Sequence, residues 1–168
     1  MSKTFTVKGP FVIPVTQKTG GRIITTADAK KFCESHDFLD KEVGCYVFAF
    51  RAAKGLKPVY IGKATKSFEQ EVFTEHKRNK YNEALVSRIK GTPVLFFVCL
   101  IKGKGPINKL AIDEVETFLI QAGLAANKDI LNDRKTKTES WSIEGIIRGK
   151  RGPRKHAVKS LRRCLNFK

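Results

Sequence analysis

The sequence lacks several features that define common classes of protein. Its four cysteines, Cys33, Cys45, Cys99 and Cys164, form no CxxC pair, which excludes the usual spacing of a structural zinc site. No stretch approaches the roughly 20 apolar residues of a membrane span, and the N-terminus has no apolar core of signal-peptide length. These absences predict buried thiols in a reducing compartment and a soluble, cytoplasmic protein without a membrane partner.

Negative charge is also scarce. The chain has 33 Lys and Arg against 16 Asp and Glu, a formal net charge of +17, and no acidic residue lies between Gly145 and Lys168. A surface this positive attracts polyanions through a long-range, salt-sensitive field. The charge therefore predicts a nucleic-acid partner, and a generally basic soluble protein is the alternative.

Four segments have the apolar pattern of β-structure. TFTVKGPFVIPV alternates apolar and polar residues around a Gly-Pro pair, as a short or bent edge strand does. GCYVFAFR and VYIGKA are joined by a Gly- and Pro-containing turn and form the best hairpin in the chain. TPVLFFVCLIK is a continuous run rich in Val and Phe, which predicts the centre of the sheet.

Four segments have helical spacing. One helix begins after Thr25, which is a suitable N-cap. In the segment after the hairpin, Phe68, Val72 and His76 recur at steps of four, so they are predicted to share one helix face. The apolar stripe from 107 to 122 is the strongest helix, and HAVKSLRRCLNF near the C-terminus is a basic amphipathic one.

Each arm of the predicted hairpin carries a tripeptide that contains a Tyr and a Gly: Gly44-Cys45-Tyr46 on the first arm and Tyr60-Ile61-Gly62 on the second. A turn centred near Lys54 pairs Phe48 with Tyr60 and puts Tyr46 on the same face of the sheet. In order and spacing the tripeptides resemble the motifs that give the GIY-YIG nuclease superfamily its name. Two β-favouring aromatics in a half-buried sheet are the alternative interpretation.

The resemblance implies a fold, a division of the chain and an activity. The implied fold is α/β (α+β), with a small, mostly antiparallel three-stranded sheet flanked by helices over residues 42–132. Residues 1–41 are then an N-terminal strand and helix extension packed on this domain. Residues 133–168 form a basic C-terminal element that is expected to bind nucleic acid. The implied activity is metal-dependent endonucleolytic hydrolysis of phosphodiester bonds, with DNA favoured over RNA.

The resemblance also assigns roles to individual residues. EVETFLIQ is similar to the family's helix with an acidic residue before a Leu-Ile pair, which makes Glu116 the expected ligand of Mg²⁺ or Mn²⁺. One carboxylate suffices because Mg²⁺ keeps several waters and takes further ligands from phosphate. Tyr46 is implied as the general base and Tyr60 as a hydroxyl that positions water or phosphate. A solvated surface Glu beside Asp113 and Glu114 is the alternative interpretation of Glu116. Asn127 resembles the Asn that follows this helix in many members, and it is an expected nucleic-acid contact.

The helix after YIG departs from the family pattern. Family members usually have an Arg there, whereas SFEQEVFTEH has none, so the chain resembles an atypical member. Lys63 is a candidate phosphate contact, His76 matches a His of some members, and Arg78 or Arg88 are candidates to supply the missing cation. The remaining expected nucleic-acid contacts lie in the basic C-terminal element: Arg148, Lys150, Arg151, Arg154, Lys155, Arg162 and Arg163.

Two other functions are compatible with these patterns. A nucleic-acid-binding module that keeps the fold but has weak or lost cleavage would explain the missing Arg and the acidic residues Glu69 and Glu71. A basic protein of ribosomes or other RNA assemblies would explain the charge but not the paired tyrosines.

Overall fold

A computed structural model describes residues 3–53, 55–87, 91–103, 105–137 and 156–164. The chain divides into two compact units, residues 1–136 and 137–168. The first unit contains strands and helices in the following order: β1 (Phe5–Val12), β2 (Thr16–Lys18), β3 (Gly21–Ile23), α1 (Thr26–Glu34), β4 (Gly44–Ala52), β5 (Gly55–Ala64), α2 (Phe68–Val72), α3 (Glu75–Ser87), β6 (Thr92–Leu100) and α4 (Lys109–Ala126).

The main sheet has four antiparallel strands in the order β1-β6-β4-β5, and β2 and β3 form a separate two-stranded sheet. The expected mixed α/β class is confirmed, but the prediction of a three-stranded sheet is wrong. β1 is the additional strand, and it pairs with β6 from Phe5 opposite Leu100 to Val12 opposite Val94. Its register shifts between Lys8 and Phe11, so the predicted bent edge strand is confirmed.

The β4–β5 hairpin has the predicted register. Phe48 lies opposite Tyr60 and Tyr46 opposite Gly62, so both tyrosines are on one face. A β-bulge between Phe48 and Ala49 adds one residue to β5. The extra residue shifts the register between the tight turn and the two motifs. The predicted sheet centre is confirmed too, because β6 lies between β1 and β4.

Helices cover both faces of the sheet because β4 is apolar on both of its faces. Tyr46 and Phe48 point into the larger core, where residues of α1, α2 and α3 are buried. Val43 and Cys45 point to the opposite face and pack with Ile112 of α4 in a smaller core. Burial of aromatic and aliphatic side chains on two faces is the main source of stability for such a domain.

Two local predictions about the helices have different outcomes. The N-cap of α1 is confirmed, since Thr25 and Asp28 form a capping box. The continuous helix through Phe68, Val72 and His76 is wrong, because α2 ends at Val72 and α3 begins at Glu75. Phe68 and Val72 are buried, whereas the break turns His76 to an exposed position at the start of α3.

In the second unit, residues 156–164 form the helix α5 (His156–Cys164). Lys159, Arg163 and Cys164 are exposed on it and Val158 is half-buried, so the predicted basic helix is confirmed, but Cys164 is not a buried thiol. Cys45 in the first unit is buried, and its desolvation raises the thiol pKa to about 12. Within the described ranges, no helix has the length and apolar character that crossing a membrane requires.

Gly44 is predicted to be irreplaceable in β4. It has φ +146°, and a Cβ at this position would lie 2.1 Å from the carbonyl oxygen of Val98 on β6. Gly44→Ala is therefore expected to lower the free energy of unfolding by about 2–4 kcal/mol through backbone strain and overpacking. Chemical denaturation measures this loss. Gly20→Ala is the control, since a Cβ added at Gly20 would have no atom within 4 Å, and an equal loss in both variants would contradict the explanation.

Candidate active site

A cleft of about 540 Å³ lies along the edge strand β5. Four of the residues predicted to be catalytic line it: Tyr60 and Lys63 from β5, His76 from α3 and Glu116 from α4. Its other lining residues are Ile61, Lys80, Asp113, Ile120, Asn132, Asp133, Arg134 and Lys135. Three separate elements and the segment after α4 therefore converge on one concave surface, which is the usual setting of a small-molecule or catalytic site.

Two carboxylates in the cleft converge on the same cation. The Lys135 Nζ lies 2.7 Å from Asp113 Oδ1 and 2.7 Å from Glu116 Oε2. Lys63 Nζ is hydrogen-bonded to Asp113 and lies 3.3 Å from Glu116 Oε2. Hydrogen bonds from Lys135 and Lys63 lower the pKa of Asp113 to about 2. Only 13% of the Glu116 side chain is exposed, so its carboxylate lies inside the cleft, beside the ammonium groups of Lys63 and Lys135.

The two motif tyrosines occupy different environments. Their ring centroids are 6.4 Å apart, but Tyr60 lines the cleft and Tyr46 is fully buried in the larger core. The Tyr46 ring lies over Gly62, where a Cβ would be 2.3 Å from its hydroxyl oxygen. Gly62 of the YIG motif therefore makes room for Tyr46. Burial raises the pKa of the Tyr46 phenol well above its usual value, and it also raises the pKa of Tyr60.

The Tyr46 hydroxyl lies near the hydroxyl of Tyr81 on α3. Both hydroxyls are buried, and neither has a hydrogen bond of acceptable geometry to any of the described residues. The two hydroxyls are close enough for Tyr81 to contribute to the raised pKa of Tyr46, after the larger effect of burial. Unpaired buried polar groups are rare and costly, so a pair of them next to a cleft calls for a functional explanation.

Lysines of α3 supply cations that the sequence analysis missed. Lys77 Nζ lies 5.7 Å from the centroid of the Tyr46 ring, and Lys80 Nζ lies 5.7 Å from that of Tyr60. Lys80 lines the cleft, whereas Arg78 between them does not, and Arg88 lies outside the described residues. The i, i+3 spacing of the two lysines was the available signal, because it places them on one side of α3.

Asn127 and Asn132 have separate structural roles. Asn127 is buried, and its Nδ2 donates to the Pro58 carbonyl at 2.7 Å, so its side chain is engaged within the fold and lies outside the cleft lining. Asn132, which sequence reasoning missed, binds the backbone of Ile61 twice: Ile61 N–H donates to its Oδ1 at 3.0 Å, and its Nδ2 donates to the Ile61 carbonyl at 2.7 Å. These bonds attach the segment after α4 to the YIG motif.

The expected contacts in the basic C-terminal element fall largely outside the described residues. This holds for Arg148, Lys150, Arg151, Arg154 and Lys155, and the side chain of Arg162 is likewise not described. Arg163 is exposed on α5.

Asp113 and Glu116 are the residues of the cleft that could hold a hard cation. Over the ranges that the structure describes, no three His, Cys, Asp or Glu side chains group as a metal cage. Asp113 and Glu116 nevertheless offer carboxylate oxygens that converge on a single cation, the Lys135 ammonium, and carboxylate oxygens are the ligands that Mg²⁺ prefers.

Comparisons with protein families, curated proteins and solved structures gave no match. The resemblance to the GIY-YIG superfamily therefore stays a prediction.

Proposed function

We propose that this protein is a metal-dependent endonuclease that hydrolyses DNA phosphodiester bonds in the cleft along β5. One observation carries the proposal: Tyr60, Lys63, His76 and Glu116, four residues chosen from separate parts of the sequence for one reaction, line the same cleft. The net charge of +17 supports a polyanionic substrate.

Each lining residue has a chemical task in this proposal. A Mg²⁺ or Mn²⁺ ion held by Glu116 would supply Lewis-acid stabilisation of the phosphate oxygens. Tyr60, which lines the cleft, binds a water or a phosphate oxygen through its hydroxyl in this proposal. His76, exposed at the cleft rim, donates a hydrogen bond or a proton on the leaving-group side. Lys63 and Lys80 are the cations that neutralise phosphate charge, so Lys80 takes the place of the absent Arg.

Tyr46 is the proposed general base, and its burial sets a condition on that role. Desolvation raises its pKa, so Tyr46 could act as a base only after losing its proton, as a phenolate that a nearby cation would have to stabilise. Among the described side chains, Lys77 is the cation that lies over the Tyr46 ring, and it is paired with Glu71 at 2.5 Å. The unpaired Tyr46 hydroxyl supports the proposal, because a group kept at a cost to stability is typical of a functional site.

A second candidate function is nucleic-acid binding on the same fold with weak or lost cleavage. Two observations favour this alternative: Glu116 is already ion-paired with Lys63 and Lys135, and Tyr46 is fully buried. In this case the cleft would be a stabilised ion-pair cluster, and the basic surfaces would carry the function.

Incubation with different nucleic acids distinguishes the two candidates. Supercoiled DNA, linear DNA and structured RNA are each incubated with the protein in Mg²⁺, in Mn²⁺ and in EDTA, and binding is measured in parallel. The proposal expects cutting of DNA in metal and none in EDTA. Steeply salt-dependent binding of DNA without any cutting would support the second candidate. Preferential binding of structured RNA without cutting of DNA would contradict the DNA nuclease and favour a basic protein of RNA assemblies.

α5 is expected to contribute uniform phosphate contacts. Lys159 and Arg163 are exposed on it, and no acidic residue lies in this part of the chain. Replacing both by Ala is expected to weaken binding of unrelated DNA sequences alike and to reduce the slope of log K against log salt by about 2. Fluorescence anisotropy at several salt concentrations measures the slope. A loss confined to one DNA sequence would contradict a purely phosphate-directed role.

A further inference from the structure

We propose that Lys135 is a phosphate-binding residue whose ammonium rests on Glu116 and Asp113 until a divalent cation displaces it. The inference deepens the proposed function, on which it rests, by naming how metal and nucleic acid are coupled in the same cleft. In this scheme either the metal or Lys135 binds the carboxylates, but not both. When the metal binds, the displaced lysine contacts a backbone phosphate of the nucleic acid.

The carboxylate oxygens around Lys135 are those that a hard cation would take. Its Nζ touches Asp113 Oδ1 and Glu116 Oε2 at 2.7 Å each, and Lys63 approaches the same two side chains. A cation bound directly to these oxygens would repel an ammonium at that distance. Metal and Lys135 therefore compete for Glu116, and each lowers the apparent affinity of the other.

Hydrogen bonds to neighbouring elements fix the backbone around Lys135. Lys135 has φ +60°, the only positive φ at a non-glycine residue in the part of the chain that the structure describes. Its carbonyl accepts a hydrogen bond from Gln121 Nε2 at 2.7 Å, and Asn132 attaches the preceding turn to Ile61. A left-handed lysine persists only where its surroundings fix it, so these hydrogen bonds hold the backbone of Lys135 in place, and the ion pairs with Asp113 and Glu116 hold its ammonium in the cleft.

Charge in the cleft explains why the exchange would couple the two ligands. The lining residues include four Lys or Arg (Lys63, Lys80, Arg134 and Lys135) and three Asp or Glu (Asp113, Glu116 and Asp133). With the lysines paired to the carboxylates, little positive charge is left for phosphate. A divalent cation on Glu116 neutralises the carboxylates and frees Lys135 and Lys63, so metal and phosphate reinforce each other's binding.

Metal binding without nucleic acid is the first test. Mn²⁺ bound to the protein is counted by the loss of the free-ion EPR signal for wild type, Lys135→Met, Lys135→Gly and Lys30→Met. Both Lys135 variants are expected to bind Mn²⁺ about 5-fold or more tightly than wild type, since the competing ammonium is gone. Lys135→Gly guards against misfolding, because glycine adopts φ +60° without strain. Lys30→Met is the control, since 76% of that lysine side chain is exposed on α1, outside the cleft lining.

DNA binding is the second test. A short fluorescent duplex is titrated in EDTA and in Ca²⁺, a hard cation that also takes carboxylate oxygens. In EDTA, Lys135→Met is expected to bind DNA slightly more weakly than wild type, because one positive charge leaves the cleft, so each protein's gain is measured against its own affinity in EDTA. Calcium is expected to strengthen binding by wild type at least twice as much as by Lys135→Met. An equal gain in both proteins would overturn the phosphate role.

The outcomes separate this inference from the proposed nuclease function. If wild type cuts DNA in metal but the Lys135 variants bind Mn²⁺ no more tightly than wild type, the exchange is wrong and the nuclease stands. If the variants bind Mn²⁺ more tightly and their DNA affinity gains less from Ca²⁺, yet no protein cuts DNA, the exchange stands and the nuclease fails.

Discussion

Glu116→Gln is expected to lower the rate of DNA cleavage by about 1,000-fold, equivalent to about 4 kcal/mol of transition-state stabilisation. Gln keeps the size of the side chain but loses the charge that holds a divalent cation. Binding of DNA in EDTA is expected to stay the same or become slightly tighter, because one negative charge leaves the cleft. Single-turnover cleavage and anisotropy, measured on the same preparation, separate the two effects.

Glu114 is the matched control for this substitution. It lies two residues before Glu116 on α4 but is exposed and is not part of the cleft lining. Glu114→Gln changes the net charge equally and is expected to cut DNA at the wild-type rate. If Glu116→Gln cuts as fast as Glu114→Gln, the assignment of Glu116 as the metal ligand is wrong.

Tyr46→Phe is expected to lower the cleavage rate by about 100-fold or more while raising the free energy of unfolding by about 1 kcal/mol. The rate falls because the proposed base is removed. The stability rises because the lost hydroxyl is buried without a hydrogen-bond partner among the described residues. A substitution that stabilises the fold and removes activity separates a functional group from a structural one.

Tyr81→Phe and Tyr60→Phe complete this comparison. The Tyr81 hydroxyl is equally buried and, among the described residues, unpaired, so its removal is expected to stabilise the fold without slowing cleavage. Tyr60 lines the cleft, and its replacement is expected to slow cleavage without the gain in stability. If Tyr60→Phe abolishes cleavage and Tyr46→Phe does not, the base is Tyr60 or a group next to it, and Tyr46 is a core residue.

The hairpin was predictable because its determinants are local. The turn fixes the register, and the alternation of side chains then fixes the faces, so the pairing of Phe48 with Tyr60 followed from the sequence. The convergence of Lys63, His76 and Glu116 on one cleft was predictable only through the resemblance, since these residues come from three elements. Periodicity alone could not bring them together.

The features that escaped prediction depend on long-range contacts. The membership of β1 in the main sheet follows from its pairing with β6, which lies far along the chain, and no local pattern encodes that partner. The burial of Tyr46 follows from the way its ring packs over Gly62. Lys135, which is ion-paired with Glu116, has a left-handed backbone conformation in an irregular segment. Lysine rarely adopts this conformation, so the sequence does not predict it.

The conversion of supercoiled plasmid to nicked or linear DNA by the wild-type protein tests the central claim most directly. The time course is followed in Mg²⁺, with EDTA and the Glu116→Gln protein as parallel reactions at a protein concentration that saturates DNA binding. The nuclease proposal predicts nicking in Mg²⁺ alone, with both parallel reactions at least about 100-fold slower. Plasmid that stays supercoiled in Mg²⁺ and in Mn²⁺ while fully bound by the protein, or cutting that continues equally in EDTA, would contradict it.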